Sequence, residues 1–504
     1  MANLLLISVI VIATCGLVYE LIAGTAASYL LGDSITQFST VIGSYLFAMG
    51  IGSWLTKYLH RNLIGYFIRV EILVGVVGGC SAMALLLLFD HVFSFRFLLY
   101  FIVSIIGVLV GIEIPLLLRI LKDRFEFKDL VSRVLAFDYL GALFASVLFP
   151  MVLVPYLGLV KSSFLFGMLN ISVAIWVLYA LNDEIPSHRA HKLTAILAMV
   201  GLTFGFIYSD KIMSIAEGSA YQGHVIFSQS TPYQRIVITR TAQDLRLFLN
   251  SNLQFSSVDE YRYHEALVHP VMAALENPRN ILIIGGGDGL ALREILKYPA
   301  VEHVTMVDLD PAMTKLFSSN EMLTSLNGKS LLSPKLTVIN QDAFVWIRQA
   351  AREEKPPVFD AVFIDVPDPS NYSIGKLYST TFYNELKGVL NDKSLVVVQS
   401  TSPLIARKSF WCVDNTMAAV GLKTAPFHVY VPSFGEWGFV IGSLSDYKIP
   451  GNFPAGLRYV TPRTVQDMFY FAPDMAHVDT KIQRLDDQAL VRYFDQEWSE
   501  YLIY

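Results

Sequence analysis

Seven apolar runs follow one another in the first 208 residues, at about 3–24, 39–58, 67–89, 94–118, 134–156, 160–181 and 192–208. Most reach the roughly 20 residues that a helix needs to cross a bilayer. The first run lacks a basic flank and further apolar runs follow it, so it reads as a span and not as a cleaved leader. From Ser209 onward the mixture is that of a globular domain. Across all 504 residues the chain is 54% hydrophobic and 16% charged, with a mean hydropathy of +0.48. Those values are too apolar for a water-soluble chain of this length. Residues 1–208 are therefore read as a multi-span membrane domain of about seven helices, with the lipid bilayer as its partner.

Four acids interrupt these runs: Glu20, Glu71, Glu113 and Asp138. A charge near mid-bilayer costs about 2.5–3.5 kcal/mol on insertion scales, so such residues face a bundle interior. Two readings stay open. The acids line a cation pathway or an amine site, or they are simply neutralised by Arg69, Arg119, backbone groups or protons. "GIGSW" (50–54) and "GVVGG" (75–79) supply small residues for close helix packing.

Basic residues cluster in three segments, 57–69, 119–133 and 186–192: Lys57, Arg61, Arg69, Arg119, Lys122, Arg124, Lys128, Arg133, Arg189 and Lys192. The alternate connections hold only Arg96 and Lys161. The positive-inside rule places the first set in the cytoplasm. Seven crossings would then put the C-terminal half outside; if the short run 192–208 does not cross, six keep it inside. The cytoplasmic side of a cell membrane is the expectation.

Net charge is -5 with no long basic run, which gives nucleic-acid binding no support. Cys15, Cys80 and Cys412 have neither metal-ligand nor disulfide-framework spacing.

In the second half, alternating segments over 222–256 predict short β-strands, so residues 209–260 read as a small β-strand subdomain. A helix over "DEYRYHEALVHPVMAAL" follows. Then "NILIIGGGDGLALREILK", "HVTMVDLDP", "LTVINQDAFVWI", "FDAVFIDVPDP" and "SLVVVQSTSP" give five buried strands alternating with helices. That is the pattern of a doubly wound parallel sheet over 261–445, with 446–504 as a tail packing on it.

Ligands of such sheets sit beyond the carboxyl ends of the strands, where the acids of this half fall. The glycine turn Gly285-Gly286-Gly287-Asp288-Gly289 is not a dinucleotide fingerprint, because Leu290 stands where the last glycine is needed. Asp288 in that turn suits a cationic ligand, a sulfonium or an amine. Asp308 ends the next strand, within reach of ribose hydroxyls, and Asp342 the third, where it could accept from an adenine amino group. Asp365 and Asp368 sit in "DVPDP", where two prolines restrict the loop. An adenosyl sulfonium together with a polyamine explains so acidic a site, since buried ammonium groups must be paired.

With "TPYQRIVI", "DEYRYHEALVHP", "LIIGGGDGLALREILK", "VTMVDLDP", "QDAF", "DVPDP", "LYSTTFY" and "VPSFGEWGF", the chain resembles the spermidine synthase (polyamine aminopropyltransferase) family over Thr231 to about Ser443. The apolar half resembles that of bacterial members with a multi-span N-terminal extension. The resemblance implies a Rossmann-like catalytic domain of the S-adenosylmethionine-dependent type. It implies aminopropyl transfer from decarboxylated S-adenosylmethionine, a co-substrate, to a diamine such as putrescine, leaving methylthioadenosine. It implies no permanently bound cofactor and a homo-oligomer, a dimer. By the same resemblance Gln234, Asp308, Asp342, Ala343 and Tyr372 hold the nucleoside. Tyr263, His264, Asp288, Asp365, Val366, Pro367 and Asp368 hold the polyamine, and Asp365 accepts its proton.

The chain departs from the family pattern in four places. Leu249-Asn250-Ser251 replaces Leu-Asp-Gly. The shorter Asp308 stands for Glu. Ser370-Asn371-Tyr372 replaces the residues that carry the family's Gly-Pro, and Phe434 stands where tyrosine is common. Two alternatives remain at this level: a methyltransferase acting on an amine or lipid headgroup, and a polyamine sensor or transporter with a non-catalytic synthase-like domain. Taken singly, His264 could be a structural histidine and Asp288 a helix cap.

Overall fold

The computed structural model describes residues 2–31, 34–89, 95–122, 125–180, 188–220 and 223–502, in two compact units, Met1–Val225 and Ile226–Tyr504. Arg124, the run ends at 94 and 181, positions 186–187 of the third basic segment, position 222 and residues 503–504 lie outside the described residues.

The first unit is built of long helices: α1 (Ala2–Leu31), α2 (Ser34–Leu55), α3 (Leu63–Leu88), α4 (Phe95–Leu121), α5 (Phe127–Leu148), α6 (Gly158–Ala180) and α7 (His188–Ala220). Among the described residues, six helical stretches are long and apolar enough to cross a membrane, and one of them, Phe127–Ala180, runs for 54 residues. A straight helix of that length would measure about 80 Å. It does not run straight. Pro150 and Pro155 lack amide protons, the chain widens into a π-type stretch over Phe149–Leu157, and Gly158 at φ 71° and ψ 177° leaves the helical region. Ser162 Oγ then donates to Leu153 O across nine residues, 3.4 Å away. Adjacent residues of α1 touch both arms: Thr14 Oγ1 donates to Gly141 O and Cys15 Sγ to Phe166 O. α5 and α6 thus form a hairpin of two rods.

Close backbone approach governs the packing. A Cβ on Gly52 would lie 2.0 Å from Val108 O, so α2 meets α4 through main chain.

Two expectations need correction here. The last apolar run belongs to a 33-residue helix, about 50 Å long. It is as able to span as the others, so its shortness no longer argues for six crossings. That helix also passes the expected boundary at 208, because Lys211, Met213, Ala216 and Glu217 are good helix formers with no proline among them. Strand structure begins only at His224.

The second unit opens with a four-stranded sheet, β1 (His224–Ser230), β2 (Arg235–Arg240), β3 (Leu245–Leu249) and β4 (Asn252–Ser256), in that order. Asn250 and Ser251, both at positive φ, form the two-residue turn between β3 and β4. The altered Leu-Asn-Ser is therefore a hairpin turn.

A seven-stranded sheet follows in the order β10-β11-β9-β8-β5-β6-β7, made of β5 (Asn280–Gly285), β6 (His303–Asp308), β7 (Leu336–Asn340), β8 (Phe359–Asp365), β9 (Leu390–Gln399), β10 (Lys423–Val431) and β11 (Gly435–Ser443). β7, β6, β5, β8 and β9 run parallel. β10 and β11, which the sequence reading left out, are antiparallel. They are joined by three residues, too few for a crossover. Helices α8 (Glu260–Met272), α9 (Leu290–Ile295) and α16 (Pro462–Met468) share one core with the sheet. α12 (Ala343–Ala350), α14 (Thr380–Lys387), α15 (Arg407–Ala419) and α17 (Ala489–Leu502) share the other. α10 (Pro311–Ser319) and α11 (Glu321–Leu326) pack on the small sheet, and α13 (Tyr372–Gly375) follows β8.

The C-terminal segment is bound by main-chain hydrogen bonds. The Glu265 carboxylate accepts from the amides of Arg458, Tyr459 and Val460, and Glu497 accepts from those of Lys408 and Ser409 at the start of α15.

Candidate active site

The parallel register aligns Gly285 at the end of β5 with Asp365 at the end of β8. Gly286 N–H donates to Asp365 O at 3.0 Å. Gly285 has φ 81°, and a Cβ there would lie 2.1 Å from Asp365 O, so only glycine fits. The glycine turn and the "DVPDP" loop are thereby held against each other. Asp288 sits in the turn, its Oδ1 accepting from Leu290 N–H. The N-cap position of α9 itself is taken by Gly289, so Asp288 bonds the start of the helix from one residue before the cap.

From α8, Tyr263 O–H donates to Asp365 Oδ1 at 2.7 Å. The Tyr263 ring packs edge-on to Phe439 and Phe434, at centroid distances of 5.1 and 6.3 Å. His264 is buried, with Nδ1 2.8 Å from Glu260 Oε2, and Glu260 in turn takes two bonds from Arg293. His264 lies within Coulombic reach of Asp288 and Asp365. Burial alone would lower its pKa, but Glu260 and the two aspartates outweigh that and raise it. A protonated His264 is therefore favoured, which fits its place beside three carboxylates.

Three aspartates of the site are costly to bury. Burial pushes Asp288 up to about 6, with the Asp365 charge adding to it and His264 opposing. Burial raises Asp365, against His264 and the Tyr263 hydroxyl. Burial pushes Asp368 up to about 7, against bonds from Gln399 and Thr401. Each keeps some contact with solvent. A bound polycation would relieve all three.

Gln399, at the end of β9, organises the loop. Its Nε2 donates to Val366 O at 2.7 Å, Tyr378 Oη at 2.9 Å and Asp368 Oδ1 at 3.3 Å, and its Oε1 accepts from Trp437 Nε1 and Thr401 N–H. Pro367 O accepts from Tyr378 O–H. Thr401, β-branched and fully buried, sits at φ 58°. A left-handed β-branched residue costs on the order of 1–3 kcal/mol, and such strain clusters at functional sites.

The residues assigned to the nucleoside lie along the neighbouring strand ends. Asp308 Oδ1 accepts from Asp310 N–H, and burial pushes the carboxyl up to about 6. Gln234 donates to Asp310 Oδ2 and not to Asp308. Asp342 Oδ1 caps α12 at Phe344 N–H, and Ala343 is the first residue of that helix. Asp342 Oδ2 is 2.5 Å from Lys376 Nζ. Tyr372 opens α13, whose cap is the Asn371 side chain. Sequence reasoning missed Gln399, Thr401, Lys376 and Trp437. Only Gln399 had a signal, as a polar residue closing the apolar run "LVVVQ".

Residues 260–451 match the family model described as the spermine/spermidine synthase domain. The whole chain is 51% identical, over 502 residues and 100% of both chains, to a polyamine aminopropyltransferase of Leptospira interrogans. The chain belongs to the polyamine aminopropyltransferase family. It is 52% identical to polyamine aminopropyltransferase 2 of Ralstonia nicotianae over 98% of each chain, and 36% identical to a Mycobacterium tuberculosis polyamine aminopropyltransferase over 98% of this chain and 96% of that one. Among solved structures, a spermidine synthase in complex with the transition state analogue AdoDATO covers 49% of this chain and 85% of its own at 23% identity, with a TM-score of 0.45. These aminopropyltransferases match along the apolar half as well as the catalytic one. The enzyme is thus an aminopropyltransferase of polyamine biosynthesis, with decarboxylated S-adenosylmethionine as co-substrate. The methyltransferase alternative is set aside.

Proposed function

We propose that this is a membrane-bound, multi-pass aminopropyltransferase that converts putrescine to spermidine. The observation that carries the reading is the meeting of Asp288, Asp365 and Asp368 around Tyr263 and His264. One ammonium of the diamine pairs with Asp288. The other reaches Asp365, gives up its proton there, and attacks. An alkylammonium titrates near that of lysine, about 10.4, and has no lone pair until it loses that proton. The nitrogen pair then forms a bond to the methylene beside sulfur, the C–S pair returns to sulfur, and neutral methylthioadenosine leaves. Tyr263 holds Asp365 in place, and Gln399 holds the loop that carries Asp368. Asp308, Asp342, Ala343, Tyr372 and Gln234, the last through Asp310, serve the nucleoside. The active form is a dimer, as the family resemblance implies.

The long apolar helices of the first unit support insertion in a cell membrane. The co-substrate is made in the cytosol, which places the catalytic unit on the cytoplasmic face. Seven crossings with basic connections inside give the opposite side. Substrate supply is a condition of turnover, whereas the charge rule is a bias, so the cytoplasmic placement is preferred. A reporter fused after Tyr504 and active only outside the cytoplasm would sink it.

The main test is methylthioadenosine release by the purified full-length protein, with decarboxylated S-adenosylmethionine and a panel of diamines. Release that requires putrescine and fails in Asp365→Asn supports the reading. Release without any diamine, or undiminished in the variant, refutes it.

A further inference from the structure

Glu71 on α3, Glu113 on α4, Asn170 on α6 and Tyr19 on α1 are buried in the first unit, at 0%, 1%, 0% and 1% exposure. Both carboxylate oxygens of Glu71, Oε1 of Glu113, both amide atoms of Asn170 and the Tyr19 hydroxyl make no hydrogen bond within the protein. Their neighbours place the four side chains in one part of the bundle. The Tyr19 ring lies against Gly78, two turns beyond Glu71, and Asn170 Cβ lies beside Gly75, one turn beyond it. Gly16 lies against Val110, one turn before Glu113. Glu71 and Glu113 lie within Coulombic reach of one another and of Cys15 and Tyr19.

The two basic side chains expected to neutralise these acids are engaged elsewhere. Arg119 donates to Thr56 O and Leu59 O, and Arg69 lies over the Tyr66 ring. Other polar groups of the bundle are satisfied by backbone, as with Ser163 on Gly78 O and Tyr45 on Gly16 O. Among the described residues of this unit, the six atoms above and His191 Nε2, on α7, are buried without a partner. Each buried polar atom left so costs about 1–3 kcal/mol.

We propose that Glu71, Glu113, Asn170 and Tyr19 form a site for one monovalent cation, either an alkali-metal ion or the ammonium head of a small amine. These atoms lie in one buried part of the bundle and hydrogen-bond neither to one another nor to any other protein group. A proton retained on one carboxyl leaves the other oxygens unpaired, whereas a cation can pair with several oxygens at once. Carboxylate, amide and phenol oxygens are the hard donors that such cations take. Charge also balances, since one cation and one retained proton neutralise the carboxyl pair. Buried acids facing a bundle interior mark ion pathways. The inference rests on the proposed membrane reading only for its setting; the site itself needs only the closed bundle.

The test uses the full chain in detergent micelles and dicyclohexylcarbodiimide, which modifies protonated carboxyls in apolar surroundings. Labelling at Glu71 and Glu113 is followed by peptide mass spectrometry in sodium, potassium, methylammonium or choline chloride at equal ionic strength. At ten times Kd, the occupying cation slows labelling about tenfold relative to choline. Slowing by methylammonium alone names an amine, and by sodium or potassium an alkali-metal ion. Equal rates in all four salts overturn the proposal. If the reagent reaches neither residue even in choline, thermal unfolding decides. A salt-specific rise in Tm that is lost in Glu71→Gln supports the site, and identical midpoints in all salts overturn it. Membrane insertion is checked separately by resistance to alkaline carbonate extraction, and aminopropyl transfer by methylthioadenosine release. Failure of either would not be mistaken for failure of the cation site.

Discussion

Asp368→Asn should make the catalytic unit more stable at pH 8 while weakening its hold on the diamine. Burial raises the Asp368 carboxyl to about 7, against about 3.9 in an unfolded chain, and that difference corresponds to roughly 4 kcal/mol. The folded state holds its proton longer than the unfolded state does. Stability is therefore lost as pH rises from about 4 to about 7, and the loss is complete above that. Asp368 keeps some contact with solvent, which screens part of the cost, so about half, or 2 kcal/mol, is the working figure. For a unit of roughly 280 residues, an unfolding entropy of about 2.1 cal/mol/K per residue converts this to about 3–4 °C in Tm. Asparagine keeps an acceptor for Gln399 Nε2 and nearly the same volume, so cavity effects should not intrude. The assay is thermal unfolding of the full-length protein at pH 8 and pH 5, beside KM for putrescine. The Asn variant should melt higher at pH 8, with the gap narrowing at pH 5, and its KM should rise at least tenfold, about 1.4 kcal/mol. A variant that melts lower than the parent at pH 8, or a gap that widens in acid, would refute the desolvation argument.

Three further outcomes follow from the same geometry. Asp365→Asn should lower kcat by about 10²–10⁴, the usual contribution of a general base, without lowering the melt at pH 8; steady-state methylthioadenosine release and thermal unfolding check it. Lys376→Met frees Asp342 from its 2.5 Å ion pair, so KM for decarboxylated S-adenosylmethionine should fall two- to fivefold, about 0.4–1 kcal/mol, as for a half-exposed pair. A rise in KM would show that the lysine assists the nucleoside. The acidic limb of kcat/KM should lie near pH 6–7, with activity rising with pH, because Asp288 near 6 and Asp368 near 7 must ionise to hold a cation. A limb near pH 4 would mean that these carboxyls behave as if exposed.

Local signals carried far in the catalytic half. The acids Asp288, Asp308, Asp342 and Asp365 each end an apolar strand or its turn, and parallel strands put such ends on one edge. Tyr263 and His264 were legible only through the family resemblance, since a tyrosine and a histidine on a helix carry no periodic signal of function. Gln399 and Lys376 escaped because their roles depend on tertiary contacts, with Trp437 and Tyr378 in one case and Asp342 in the other. β10 and β11 alternate imperfectly, with Pro426 inside one and Gly435, Gly438 and Gly442 inside the other. In the first half, hydropathy separated seven runs but could not place the end of α7, because the residues after 208 are polar and still helical.

The bond from Gly286 N–H to Asp365 O has a consequence for evolution and engineering. The turn whose Gly287 packs against Asp308, proposed to serve the nucleoside, and the carboxylate proposed for the amine acceptor share one main-chain contact, and Gly285 has no room for even a methyl group there. Widening the donor pocket by substitution in the glycine turn would move the base by the same displacement. Donor and acceptor preference in this enzyme therefore cannot drift independently. New acceptors are better sought around Phe434, whose loop is tied instead to Asp259 through Ser433, away from that shared contact.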